Sequence, residues 1–270
     1  MFDIMTQAQN AIESYNAALN ISSSNIANMN VTGYKKLDVS FQSVFEKLLS
    51  GGTAAQGDMG GTNPEQFGQG MSISGVTVDF SNGETTTGTS LDLAISGQGL
   101  FIVSPDGGAN YYYTRAGNFQ IDSSGNLTSN GMLVYGLNSA GSVVPITSLP
   151  SGNRSSYQWL ADGTLQYSSD GTTWTNTGYK IALTYFPNSS GLAQAQGSTF
   201  SATLASGEAA TAQAPGGAVG TLQTGQIEQS NVFYLGETIN ALELQRAMNA
   251  NLSMVRMASD LISGFITKLG

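Results

Sequence analysis

The groups in this chain that could carry out chemistry are carboxylates and little else. Asp79, Glu84, Asp92, Asp106, Asp122, Asp162 and Asp170 are strung along the middle of the 270-residue sequence. A suitably spaced pair of such acids is the machinery of glycoside hydrolysis. Most of them precede Gly or Ser, the pattern of turns in which the Asp side chain caps the local backbone. Cys and His are absent, which removes thiolate nucleophiles, imidazole bases, disulfides and the usual zinc ligands together. Gly97-Gln-Gly99 has the form of a nucleotide-binding glycine loop. That loop must open a helix whose N-terminus holds the phosphates, whereas here Leu-Phe-Ile-Val follows, a strand. No catalytic residue, cofactor or metal is therefore expected, and a secreted glycan-active β protein is the remote alternative.

Charge narrows the partners. The chain carries a formal −9, and only 10% of its residues are charged, against roughly 25% in ordinary domains. Between Gly52 and Ser230 three bases (Arg115, Arg154, Lys180) face eleven acids. Such a segment cannot neutralise phosphates, so nucleic-acid binding is not expected. No apolar run reaches the ~20 residues of a membrane span, and the start of the sequence, with Asp3 and no basic region, does not read as a cleaved secretory signal.

The elements that must position these residues are set by two periodicities. Met5, Ile12, Leu19 and Ile26 recur every seven residues, with Ala8, Tyr15, Ser22 and Met29 three behind. Ala241, Met248, Val255, Ile262 and Leu269 repeat the series near the other end, with Leu244, Asn251, Ala258 and Phe265 three behind. A 4–3 spacing puts each set on one helical seam, the pattern by which helices pack knobs into holes. The first helix is expected from about Phe2 to Asn28 and the last from within 231–237 to Lys268. Asn251 on a seam would fix register if buried. Met248, Met254 and Met257 suit adaptable interfaces.

Between the helices the sequence reads as strands and turns. Leu91, Leu93 and Ile95 alternate, Leu100 to Val103 is continuously apolar, and Trp159-Leu-Ala-Asp-Gly163 reads as a tight hairpin. Leu37, Phe41, Val44, Phe45 and Leu48 fit helical or extended spacing alike, and Gly51 to Gly70 reads as an irregular connector. The expected fold is mainly β with α-helical termini. Its β-rich middle domain is inserted between N- and C-terminal helices that pair as a coiled coil. The expected divisions are an N-terminal inner helix over 1–32, a connector over 33–70, a β-rich outer domain over 71–230 and a C-terminal inner helix over 231–270. Seams rich in Ala, Ser and Asn bury little apolar surface, so the ends are expected to order on assembly.

Four blocks resemble the bacterial flagellar rod and hook axial proteins, in family order along nearly the whole chain. Ser24-Asn-Ile-Ala-Asn-Met-Asn-Val-Thr-Gly-Tyr-Lys35 is similar to the N-terminal signature. Leu91-Asp-Leu-Ala-Ile-Ser-Gly-Gln-Gly-Leu-Phe101 and Tyr113-Thr-Arg-Ala-Gly-Asn-Phe119 resemble the central blocks. Gly225-Gln-Ile-Glu-Gln-Ser-Asn-Val232, with Gln245-Arg-Ala247 and Asn251, resembles the C-terminal one. Tyr34, Met248 and Leu252-Ser253 depart from the family's pattern.

The resemblance implies a structural subunit of the flagellum, exported without a cleaved signal, that self-assembles into a helical tube around an export channel. Its neighbours would be other copies, the adjoining rod, hook-cap and hook-filament junction proteins, and the export apparatus. Met5, Ile12, Leu19, Asn25, Ile26, Ala27, Asn28, Asn30 and Gly33 are then assigned to inner-helix assembly, with Leu244, Gln245, Arg246, Met248, Asn251, Val255 and Ile262. Leu91, Asp92, Gly97, Gly99, Phe101, Thr114, Arg115 and Gly117 are the family motif of the β domain. Phe41-Gln-Ser-Val-Phe45 with Gly60-Gly-Thr-Asn-Pro64 favours a short hook protein. The length and the 151–205 region equally resemble the distal-rod protein, which is the alternative.

Overall fold

The structure, a computed structural model, describes residues 2–50, 61, 65–152 and 154–269. The chain divides into two compact units, one of residues 1–26, 37–76 and 234–270, the other of 27–36 and 77–233.

The first unit holds both long helices and a two-stranded sheet. Helix α1 (Phe2–Ala27) contains neither Gly nor Pro and ends where Asn28 and Asn30 offer side chains that compete for backbone hydrogen bonds. Its most covered line is Ala8, Ala11, Ser14, Ala18, Ser22 and Asn25, while Met5, Ile12, Leu19 and Ile26 are half-buried. The large residues of the expected seam thus flank the contact, and small ones fill it. The reason is close approach: Gly70 packs against the Gln7 backbone, and Ser14 Oγ donates to Met71 O at 3.3 Å.

Strands β1 (Leu37–Ser50) and β2 (Glu65–Val78) form the sheet. Ser74 Oγ donates to Ser40 O and Gln42 Nε2 to Ser72 Oγ, an antiparallel arrangement. The segment from Leu37 to Leu48, ambiguous by spacing, is therefore extended. Of the connector, residues 65–70 are strand, while 51–60 and 62–64 lie outside the described residues, including all of Gly60-Gly-Thr-Asn-Pro64 except Gly61. Helix α2 (Tyr234–Leu269) runs for 36 residues, about 54 Å. Glu237 in its first turn complements the positive end of the helix dipole, and Lys268 the negative end. Its more covered face is Glu237, Ala241, Leu244, Met248, Asn251, Val255, Ala258 and Ile262, an unbroken 4–3 series. Phe265, placed on the seam by spacing, is instead 58% exposed.

The second unit is β-rich. Strand β3 (Thr85–Thr87) pairs with Gln226–Glu228, and β4 (Leu93–Ser96) pairs with Thr221–Thr224. Strand β5 (Leu100–Ser104) is buried throughout, as its continuous apolar run requires, between β6 (Tyr112–Thr114) and Met132–Leu137 in a 12-stranded sheet. Gly97-Gln-Gly99 is the bend between β4 and β5. The Trp159–Thr164 turn is the expected hairpin, with Tyr157–Trp159 registered on Leu165–Tyr167 and Gly163 at φ +82°. The core centres on Leu91, Leu93, Ile95, Phe101, Phe119, Trp159, Leu165 and Ile181. The Trp159 indole N–H donates to Leu91 O at 2.9 Å, and Phe119 stands edge-on to both Phe101 and Trp159. At Gly117 any Cβ would overlap Leu93 O, so only glycine lets these two segments meet.

Candidate functional site

Six of the seven carboxylates that could have formed a catalytic pair, all but Glu84, accept hydrogen bonds within their own loops, and Asp162 is also ion-paired with Lys180. Asp122 accepts from the N–H groups of Ser124 and Asn126, Asp162 from Thr164, and Asp170 from Thr172 and Thr173. Asp79 accepts from Ser81 N–H and Asp92 from Thr89 N–H and Oγ1. The Asn110 backbone and side-chain amides, with the Ser104 hydroxyl, hold the Asp106 carboxyl down to about 2. Hydrogen bonds of the same kind lower Asp122, and those at Asp170 lower it further. Asp106, Asp122 and Asp170 are turn caps held ionised by hydrogen-bond donors of their own loops.

The charges that matter for the architecture lie elsewhere. In the second unit three of the four family-like blocks converge on one buried cluster: Lys35 Nζ lies 2.6 Å from Glu228 Oε1, and Arg115 Nη1 lies 3.2 Å from Glu228 Oε2. The side chains are 0%, 3% and 1% exposed for Lys35, Arg115 and Glu228. Gly83 N–H donates to Glu228 Oε1, Lys35 Nζ to Ser81 O, and Arg115 to the carbonyls of Ile95 and Gly97. Burial draws both cations below their ordinary pKa values, and the Glu228 carboxylate opposes it.

The backbone repeats the junction. Gly33 N–H donates to Glu228 O, Lys36 N–H to Asn231 Oδ1, and Asn231 Nδ2 to the carbonyls of Asp79 and Ser81. Gly33 sits at φ +68°, and a Cβ there would overlap the Ala116 backbone. It is glycine on both counts.

In the first unit Asn25 does a similar job. Its Oδ1 accepts from Leu37 N–H at 3.0 Å, its Nδ2 donates to Leu37 O at 2.9 Å, and the same amide reaches Glu237 Oε2 at 3.4 Å. The side chain stands in for a neighbouring strand and ties α1, β1 and the start of α2 together.

The other residues assigned from sequence fall into two groups. Leu91, Asp92, Phe101, Thr114 and Arg115 are buried. Gly99 and Gly117 are buried as well, and Gly97 is exposed at the bend. Thr114 Oγ1 donates to Ser198 O and accepts from Ala116 N–H, so this motif builds core and turns. On the helices, Leu244, Met248, Asn251, Val255 and Ile262 are half-buried, while Ala27, Gln245 and Arg246 are exposed; in the turn after α1, Asn28 is half-buried and Asn30 exposed. Asn251 Nδ2 donates to Ala247 O within its own helix, so it does not act as a buried register residue in the chain alone. The other side of α2 presents Ile239, Leu242, Met254, Met257 and Leu261 to solvent, more apolar surface than a solvated helix face carries.

Sequence reasoning missed Lys35, Glu228 and Glu237 as site residues. One signal was available for two of them: Lys35 and Glu228 are the single charged residues of the blocks Ser24–Lys35 and Gly225–Val232, and a lone charge in an otherwise uncharged stretch calls for a partner.

A family model described as flagella basal body rod protein matches residues 5–35. One described as the flagellar hook protein FlgE/F/G D1 domain matches residues 94–155. The flagellar basal-body rod protein FlgG of Bacillus subtilis is 32% identical over 258 residues, covering 94% of each chain. FlgG of Buchnera aphidicola subsp. Acyrthosiphon pisum is 28% identical over 247 residues, covering 90% of this chain and 91% of that one. The flagellar hook protein FlgE of Helicobacter mustelae is 39% identical over 122 residues, 44% of this chain and 27% of that longer one. The sequence blocks, the fold they build and the end-to-end similarity to FlgG agree: the chain belongs to the bacterial flagellar rod and hook protein family, structural proteins of the flagellum.

Proposed function

We propose that the chain is a subunit of the basal-body rod, polymerising into a helical tube with the adjoining flagellar components. The observation that carries this reading is co-extension: the similarity to a rod protein runs through 94% of both chains, so helices, β unit and connections all have counterparts there. Similarity to the hook protein of Helicobacter mustelae stops at 122 residues. The apolar side of α2 supports assembly, because a repeated heterologous contact yields a filament and this face offers the surface for one. A hook subunit is the second reading, favoured by the higher identity, 39%, of the hook-protein match over its shorter span. Electron microscopy of basal bodies from a deletion strain separates the two. Truncated rods without hooks support the rod, and complete rods lacking hooks overturn it in favour of the hook.

A further inference from the structure

The buried ion cluster has a property that neither rod nor hook assembly requires: its members are far apart in the sequence. Glu228 is 193 residues from Lys35 and 113 from Arg115. Until Glu228 is in place, Lys35 and Arg115 would be two like charges in a water-excluded site, which is prohibitively unfavourable. Arg115 cannot be left in solvent while the rest of the unit folds, because its guanidinium is seated on Ile95 O and Gly97 O. Those carbonyls belong to β4 and the bend into the central strand β5.

The same short stretch completes the neighbouring structure. Thr221–Thr224 are the partners of β4, and Gln226–Glu228 those of β3. Glu228 O receives Gly33 N–H, and Asn231 receives Lys36 N–H while bonding Asp79 and Ser81. One segment of about ten residues therefore closes two sheets, neutralises two cations and seats the 33–36 turn.

We propose that residues 221–231 are a closing segment, and that the second unit reaches its folded state only when this segment docks and the Glu228 carboxylate meets Lys35 and Arg115. The β sheet, despite its size, does not fold ahead of it. A chain ending before residue 221 stays open, and the unit closes in a single late step. The device makes the presence of residues 221–231 a condition of folding, whichever flagellar tube the subunit serves.

The test is refolding of the full-length chain from denaturant, with pulsed hydrogen exchange read peptide by peptide. The expected result is one rate constant for protection of 100–104, 112–119, 132–137 and 221–228. Glu228→Gln should slow all four together by tenfold or more. Leu204→Ser, a fully exposed side chain of the second unit, should leave that rate unchanged. Protection of 100–104 and 132–137 ahead of 221–228, or at the wild-type rate in Glu228→Gln, would overturn the proposal. If Glu228→Gln does not refold, Glu228→Asp, which keeps the charge on a stem one methylene shorter, is read by the same criterion.

Discussion

Replacing Glu228 by Gln strands two buried cations, and the size of the effect can be worked from the cluster. With an effective dielectric near 20, the contacts at 2.6 and 3.2 Å correspond to gross attractions of ~6 and ~5 kcal/mol. Desolvation of three ions offsets most of that. Removing the anion does not return the desolvation, because Lys35 and Arg115 stay buried by everything else around them. Breaking a buried pair from one side costs about 3–5 kcal/mol, and two stranded cations place this case at the upper end. For a unit of this size each 1 kcal/mol moves the melting temperature by about 2–4 °C, so a fall on the order of 10–15 °C is expected. Lys35→Met leaves one acid facing one base and should cost less than half as much. Both tryptophans, Trp159 and Trp174, lie in the second unit, so urea titration followed by tryptophan fluorescence reports on that unit without the helices. A Glu228→Gln loss below about 1 kcal/mol, or a Lys35→Met loss equal to it, would refute the claim that Glu228 balances two buried charges.

Further outcomes follow from the same geometry. Asp106 is held to about 2 against an ordinary 3.8, so the open chain binds its proton more readily than the folded one. The stability it contributes is present above about pH 4 and disappears as pH falls toward about 2. Asp106→Asn should flatten the melting temperature's decline across that window, and an unchanged slope would count against the turn. Gly33→Ala, left-handed and overlapping the Ala116 backbone, should cost ~3 kcal/mol or more. Gly131→Ala, also left-handed but in open space, should cost only ~1 kcal/mol, and equal losses in denaturant titrations would dispose of the close-approach argument. Asn25→Ala removes both partners of the Leu37 peptide groups and should cost about 1–3 kcal/mol, visible as faster hydrogen exchange at Leu37. If Met257→Asp leaves the concentration needed for polymerisation of the purified chain unaltered, the exposed side of α2 is not the assembly face.

What was legible in the sequence had local causes. The covered face of α2 follows its spacing because a 4–3 repeat of Ala241, Leu244, Met248 and their successors can occupy only one side of a helix. The Asp-Gly turn at 162–163 and the strand after Gly99 were readable for the same reason: a left-handed turn and a continuous apolar run each depend on adjacent residues. The buried line of α1 was not, because Ala8, Ala11 and Ala18 take the contact through backbone proximity rather than hydrophobicity, leaving Ile12 and Leu19 at its flanks. The Leu37 strand was ambiguous because its large residues fit either period. Lys35 and Glu228 stand out as lone charges of their blocks, but that they are each other's partner, across 193 residues, is visible only when the fold places them 2.6 Å apart.

The two faces of α2 differ in one more respect. Met254 and Met257 are 45% and 59% exposed on the open side, whereas Met248 is half-covered on the other. Mild peroxide converts an accessible thioether to a polar sulfoxide, so the uncovered side carries its own redox label. Copies oxidised before they meet would present a wetted stripe in place of an apolar one. Copies that met first would keep their thioethers, leaving in each molecule a chemical record of when its helix was covered.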